Sequence, residues 1–321
     1  MNQRLAQYDV LKGVGILLVV ICHAGLSGFP KEFIYTFHMP LFFFASGCFF
    51  KSTTFGNYLI KNVKQLLIPY LLFAFCMIIA RCLRSLDIHS AFHSISGTLN
   101  SLYLLNESDP CLYESIWFLI CLFVVRIVYW LINSLCKDSL LLKIIVCCVL
   151  YILGYIIQRI GLNIPFFIDT AFSVVLFYSF GELFHKKGYD KKVVPWWCGV
   201  IGLFASISVC YFLHPYVELK DNRYPIYLFL LSIITIISLY YLCKALVEWN
   251  VNRKKYFLGF LEKCGISSLA ILGFHNPIIW ILGHYFQIIP APPIVLLLFL
   301  VFITVIVIFC IEKITTDAIN F

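Results

Sequence analysis

The sequence predicts an all-α, polytopic membrane protein with about ten transmembrane helices and both termini in the cytoplasm. Three observations carry that prediction. First, 62% of the 321 residues are hydrophobic and only 12% are charged, whereas soluble domains carry about 45–50% and about 25%. So few charges could not clothe an aqueous exterior. Second, the apolar residues gather into long runs close to the ~20 residues a helix needs to cross ~30 Å of hydrocarbon; barrel strands are shorter and alternate polar with apolar. Third, the basic residues are distributed unevenly between those runs.

The runs fall at 9–27, 33–50, 66–81, 115–136, 143–159, 166–185, 194–213, 225–247, 264–287 and 292–312. The first has an apolar centre at 13–22 that resembles a signal peptide, but nine further spans favour a retained helix. With the N-terminus inside, 17 of the 24 Lys and Arg residues face the cytoplasm, 6 face outward, and Arg126 lies within a span. That bias is a positive-inside signal and fits an even number of crossings. The longest outer segment is 82–114, and one domain is expected over 1–321. The net charge of +8 therefore reports orientation in a lipid bilayer; no basic domain offers a groove for nucleic acid. The 14 cysteines include no CxxC pair and no metal-ligand spacing. Most sit within apolar runs as small hydrophobes, and Cys82 and Cys111 could pair outside the membrane. No metal site is expected.

Ionisable groups inside spans are costly and mark candidate sites. In the first run Asp9, Lys12 and His23 share a face: Lys12 and His23 are within about 20° of whole turns and Asp9 and His23 within about 40°. The stripe rises roughly 16 Å from Lys12 to His23. Two readings stand. In one, Asp9 and Lys12 are interfacial, Lys12 snorkels and His23 merely hydrogen-bonds a neighbour; in the other the stripe is functional. The second run offers His38, facing His23 or simply packed, then Ser46 and Gly47, small enough for close helix approach. Lys61 and Lys64, three residues apart, suit an anionic phosphate or ordinary cytoplasmic charge. Trp117 fits an interfacial anchor. Arg126, Asp169 and Glu182 need partners, one another included. His275-Asn276-Pro277 is a polar kink or a helix break, and Asn106-Glu107-Ser108 is a glycosylation sequon.

Lys12-x10-His23, within Tyr8-Asp9-Val10-Leu11-Lys12-Gly13-Val14-Gly15, resembles the [Arg/Lys]-x10-His opening helix of the acyltransferase-3 family of membrane O-acyltransferases. Phe37-His38-Met39-Pro40-Leu41-Phe42-Phe43-Phe44-Ala45-Ser46-Gly47 is similar to its second-helix signature, especially in the sugar (fucose-type) O-acetylase branch. Leu66-Leu67-Ile68-Pro69-Tyr70 resembles the third-helix start, with weaker matches at Ile116-Trp117-Phe118-Leu119 and Phe274-His275-Asn276-Pro277. Lys12, Lys61 and Lys64 stand where many members carry arginine, which keeps charge but loses the bidentate fork. Cys22 stands where some relatives have an acid, and the fused esterase-like domain that some relatives carry is not expected.

The resemblance implies transfer of an acyl group, usually acetyl, from cytoplasmic acetyl-CoA to a hydroxyl of a cell-surface glycan or its lipid-linked precursor, in the cytoplasmic membrane of a bacterium. No permanently bound cofactor is implied. Lys12, Lys61 and Lys64 would hold the donor, with Asp9 paired to Lys12. His23 would be the general base, His38 would position the acceptor or the oxyanion, and Ser46 and His275 would line the substrate site. The competing class is a transporter or flippase of a glycan or lipid-linked intermediate, which often shows two similar halves; no such symmetry is visible. A third reading is an acylase of small cytoplasmic molecules.

Overall fold

The structure is a computed structural model that describes residues 6–85, 116–137, 139–162, 164–215, 226–250 and 256–286, together with positions 305, 306 and 309. Its helices are α1 (Ala6–His23), α2 (Phe29–Cys48), α3 (Phe55–Asn62), α4 (Ile68–Ser85), α5 (Trp117–Cys136), α6 (Leu140–Arg159), α7 (Ile168–Lys186), α8 (Trp196–Leu213), α9 (Ile226–Asn250), α10 (Tyr256–Ile266) and α11 (Ser268–Phe286). A π-helical turn, Val63–Leu67, joins α3 to α4. Among the described residues there is no strand. That is the physical requirement of hydrocarbon, where every backbone N–H and C=O must be satisfied within its own segment or a closed barrel.

Seven described segments are long and apolar enough to cross a membrane, or eight if the bent pair α10–α11 is one span. The chain is thus an all-α, multi-pass membrane protein. α2 is 20 residues long but is not among the seven; Lys31, Glu32 and His38 dilute its apolar run. Most of the tenth expected run, the chain termini, the Cys82–Cys111 pairing and the Asn106 sequon lie outside the described residues.

The chain forms two compact units. The first holds Met1–Phe42, Lys192–Val217 and Tyr224–Phe321; the second holds Phe43–Lys191 and Glu218–Arg223. In the first, α1 packs most extensively against α10 and also touches α9 and α11, while α8 lies along α9. Glycine makes the α1–α10 crossing possible. A Cβ at Gly13 would overlap the Leu261 carbonyl, and one at Gly265 would overlap the Asp9 carbonyl. Small residues of this kind let helix backbones touch in a membrane, where lipid supplies little hydrophobic drive. Gly265→Ala is expected to destabilise the fold by about 1–3 kcal/mol as two backbones are forced apart, read as a lower melting temperature in detergent; an unchanged value would mean that α10 can retreat freely.

α10 and α11 meet at an 86° bend. The break falls at Ser267, whose carbonyl accepts the Ile271 N–H at 3.0 Å while its own N–H reaches Lys263 at 2.9 Å. Pro277, expected as a polar kink or a helix break, does not end the helix and lies inside α11.

In the second unit α7 packs against α6 and α5. The end of α2 crosses α7 at two glycines: a Cβ on Gly47 would strike the Tyr178 carbonyl, and one on Gly181 the Phe44 carbonyl. Gly47 therefore has the close-approach role its size suggests. Phe50, Tyr129 and Tyr178 form a ring cluster beside that crossing. Trp117 is not an interfacial anchor; it is 5% exposed and packs on Phe167. Large apolar side chains face outward in both units, among them Phe204 on α8 and Phe75 on α4, as expected where hydrocarbon is the solvent.

Candidate active site

The α1 stripe survives in three dimensions. Lys12 Nζ donates to Asp9 Oδ1 at 2.7 Å, one helical turn apart, with the carboxylate in the first turn where the helix dipole favours it. Asp9 is buried and Lys12 is partly exposed. His23 is the last residue of α1.

His23 Nδ1 lies 2.8 Å from His275 Nε2. The ring centroids are 5.0 Å apart and the planes differ by 18°. That separation suits an in-plane nitrogen–nitrogen contact between two imidazoles, so the rings meet edge to edge. His275 is fully buried, and its Nδ1 sits 2.8 Å from the Ile271 carbonyl and 3.0 Å from that of Leu272. A carbonyl can only accept, so His275 Nδ1 carries the hydrogen and donates it. In the neutral ring its Nε2 is then an acceptor. His23 Nδ1 must therefore donate, and His23 Nε2 retains its lone pair. The tautomers follow from the network, and they leave a basic nitrogen at the end of α1. The Asn276 side chain also hydrogen-bonds the His23 ring.

His38 is buried on α2. Its Nδ1 donates to the Ile34 carbonyl at 2.9 Å, which leaves its Nε2 as an acceptor when neutral. The Tyr35 ring packs at 4.9 Å. His38 is within electrostatic reach of His23, but the direct partner of His23 is His275. The sequence signal for that partner was the polar trio His275-Asn276-Pro277 in an apolar run.

The other candidates lie in the second unit. Ser46 Oγ accepts two N–H groups of Arg126. Lys61 lies in the last turn of α3, Lys64 sits on the π turn, and both are exposed. The embedded charges Arg126, Asp169 and Glu182 do not pair with one another. Arg126 meets Ser46, Asn62 and Gln65. Glu182 instead accepts from Lys186 at 2.8 Å, from Lys143 at 3.3 Å and from the Tyr129 hydroxyl. Lys143, counted from sequence as a cytoplasmic charge, is 0% exposed. His185 and Asp190 form a further pair at 2.7 Å that sequence reading missed. Among the described residues no group of three His, Cys, Asp or Glu side chains is placed to hold a metal ion.

A family model described as an acyltransferase domain matches residues 5–313. No curated protein and no solved structure matches the chain. The family match takes in the α1 stripe, both further histidines and all of the basic candidates. An all-helical chain that carries long apolar spans and matches this family from end to end belongs to the acyltransferase-3 family and is an integral membrane O-acyltransferase.

Proposed function

We propose that the protein transfers an acetyl group from cytoplasmic acetyl-CoA to a hydroxyl of a cell-surface glycan or its lipid-linked precursor, as in the sugar O-acetylase branch, in a bacterial cytoplasmic membrane. The observation that supports it is the hydrogen-bonded pair of His23 and His275, which leaves Nε2 of His23 unprotonated. That nitrogen takes the hydroxyl proton as the acceptor oxygen attacks the thioester carbon. The C–O bond forms, the C–S bond breaks, and the departing thiolate takes the proton back from the imidazolium. CoA leaves, and His23 returns to its starting tautomer. His275 orients the base through Nδ1, and His38 offers its Nε2 to the acceptor. Lys12, held by Asp9, meets an anionic group of the donor. The chemistry needs no permanently bound cofactor.

The test is direct. Purified protein in detergent should bind acetyl-CoA, and surface glycan from cells lacking the protein should be lighter by its acyl groups. A glycan of unchanged mass, with no acetyl-CoA binding, would sink the reading. Lys12→Met should weaken acetyl-CoA binding by about 10-fold, the scale of a lost hydrogen bond to a charged group. Lys12→Arg, which keeps the pair with Asp9, should retain binding. Equal affinity in both variants would remove Lys12 from the donor site.

A further inference from the structure

The second unit holds a cation that the imidazole chemistry of α1 does not use. Arg126 occupies the middle of α5, a helix otherwise apolar enough to span. Its Nε and Nη2 donate to Ser46 Oγ at 3.1 and 2.9 Å. Its Nη1 donates to Asn62 Oδ1 at 2.9 Å and to Gln65 Oε1 at 3.3 Å. These oxygens are all neutral. Among the described residues no carboxylate pairs with Arg126, and Glu182 has Lys143 and Lys186 as its cations. A charge within a span is ordinarily paired. Ser46, Asn62 and Gln65 fix the plane of the guanidinium without neutralising it.

Three further features converge there. A guanidinium has five N–H donors; the four contacts above leave one Nη2 hydrogen over. The Tyr58 hydroxyl is buried beside Asn62 and Tyr178, within reach of the Arg126 charge, yet it makes no hydrogen bond of good geometry. A buried hydroxyl held only by such weak contacts gains from a well-placed acceptor. Finally, Asn62 and Gln65 flank or lie on the π turn Val63–Leu67. Such turns recur at functional sites because they redirect side chains that an α-helix would place elsewhere.

We propose that Arg126 and Tyr58 form a phosphate-binding centre, with Ser46, Asn62 and Gln65 holding the guanidinium in place and Lys61 and Lys64 adding positive charge along the same segment. A phosphate ester supplies several acceptor oxygens and the negative charge that Arg126 lacks. A carboxylate offers two acceptor oxygens and one charge, whereas a phosphate ester can offer more of each. Two sources share this chemistry: the nucleotide end of coenzyme A, and the phosphate that joins a glycan to its lipid carrier. The centre does not depend on His23 being the base.

The experiment is equilibrium binding to the full chain in detergent, with coenzyme A, pantetheine (which lacks its phosphates) and a polyprenyl phosphate as probes. Arg126→Gln should weaken one phosphate probe by about 10- to 100-fold, and Tyr58→Phe should weaken the same probe by about 10-fold. Arg126→Lys should fall between parent and Arg126→Gln, because it keeps charge and loses the fork. If the coenzyme A advantage over pantetheine collapses, the nucleotide is the ligand. If only polyprenyl phosphate is lost, the lipid carrier is. Unchanged affinity for both phosphate probes in folded Arg126→Gln overturns the proposal. Should that variant fail to fold, unchanged affinities in Tyr58→Phe and Arg126→Lys overturn it.

Discussion

His23→Ala is expected to eliminate acyl transfer, lowering kcat by about 10²–10⁴-fold, the usual contribution of a positioned general base. The protein should still insert and fold, because His23 is the terminal residue of α1 and its one direct side-chain bond to another ring is to His275. His275 separates two ways of reading that loss. His275→Leu removes the acceptor for His23 Nδ1–H, so the hydrogen is free to move to Nε2 and block the basic nitrogen. His275→Gln retains an oxygen that can accept from Nδ1. The expected order in kcat is therefore parent, then Gln, then Leu, with KM for acetyl-CoA nearly constant across the three. A purely structural role for His275 would lower yield and melting temperature without that order. Full acetylation of isolated glycan by His23→Ala would refute the assignment of the base.

The largest expected effect on stability comes from Glu182. Glu182→Leu takes from Lys143, which is 0% exposed, the carboxylate that it meets through both oxygens. Removing one partner of a buried pair costs about 3–5 kcal/mol, because the remaining charge is uncompensated. Lys186 is partly exposed and can turn to water, but the Tyr129 hydroxyl also loses its acceptor. The double variant Lys143→Met with Glu182→Leu should recover much of the loss, since apolar replacement of a whole buried pair is often tolerated. Thermal unfolding in detergent distinguishes the outcomes: the single variant should melt well below the double. A Glu182→Leu protein as stable as the parent would show that Lys143 does not depend on that carboxylate.

Six of the seven described spans lie where the sequence placed them, because hydrocarbon demands continuous apolar runs; the other occupies Phe55–Cys76, where 66–81 was expected. The α1 stripe was legible because three polar residues kept helical period, and its Asp9–Lys12 contact is local in sequence. What was not legible is what depends on tertiary contact. His275 lies 252 residues from His23, and nothing local distinguishes a ring that meets another from one that packs alone. Lys143 reads as an ordinary charge at a span boundary until α7 brings Glu182 against it. Arg126 meets three neutral oxygens, whereas charge alone points to Asp169 or Glu182. The break at Ser267 has a local sign, since serine is a favoured helix N-cap, whereas Pro277 withdraws only one N–H from a helix that neighbouring groups can support.

The glycine crossing of α1 and α10 has a consequence beyond adhesion. With Gly265 seated on the Asp9 carbonyl and Gly13 on that of Leu261, α1 cannot slide along its neighbour, and it works as a vernier for whatever its far end carries. A slip of one turn would displace His23 by about 5.4 Å, far more than a 2.8 Å contact with His275 can absorb. The registration of the imidazole pair is thus set roughly 15 Å away from it, by two residues that have no side chains at all.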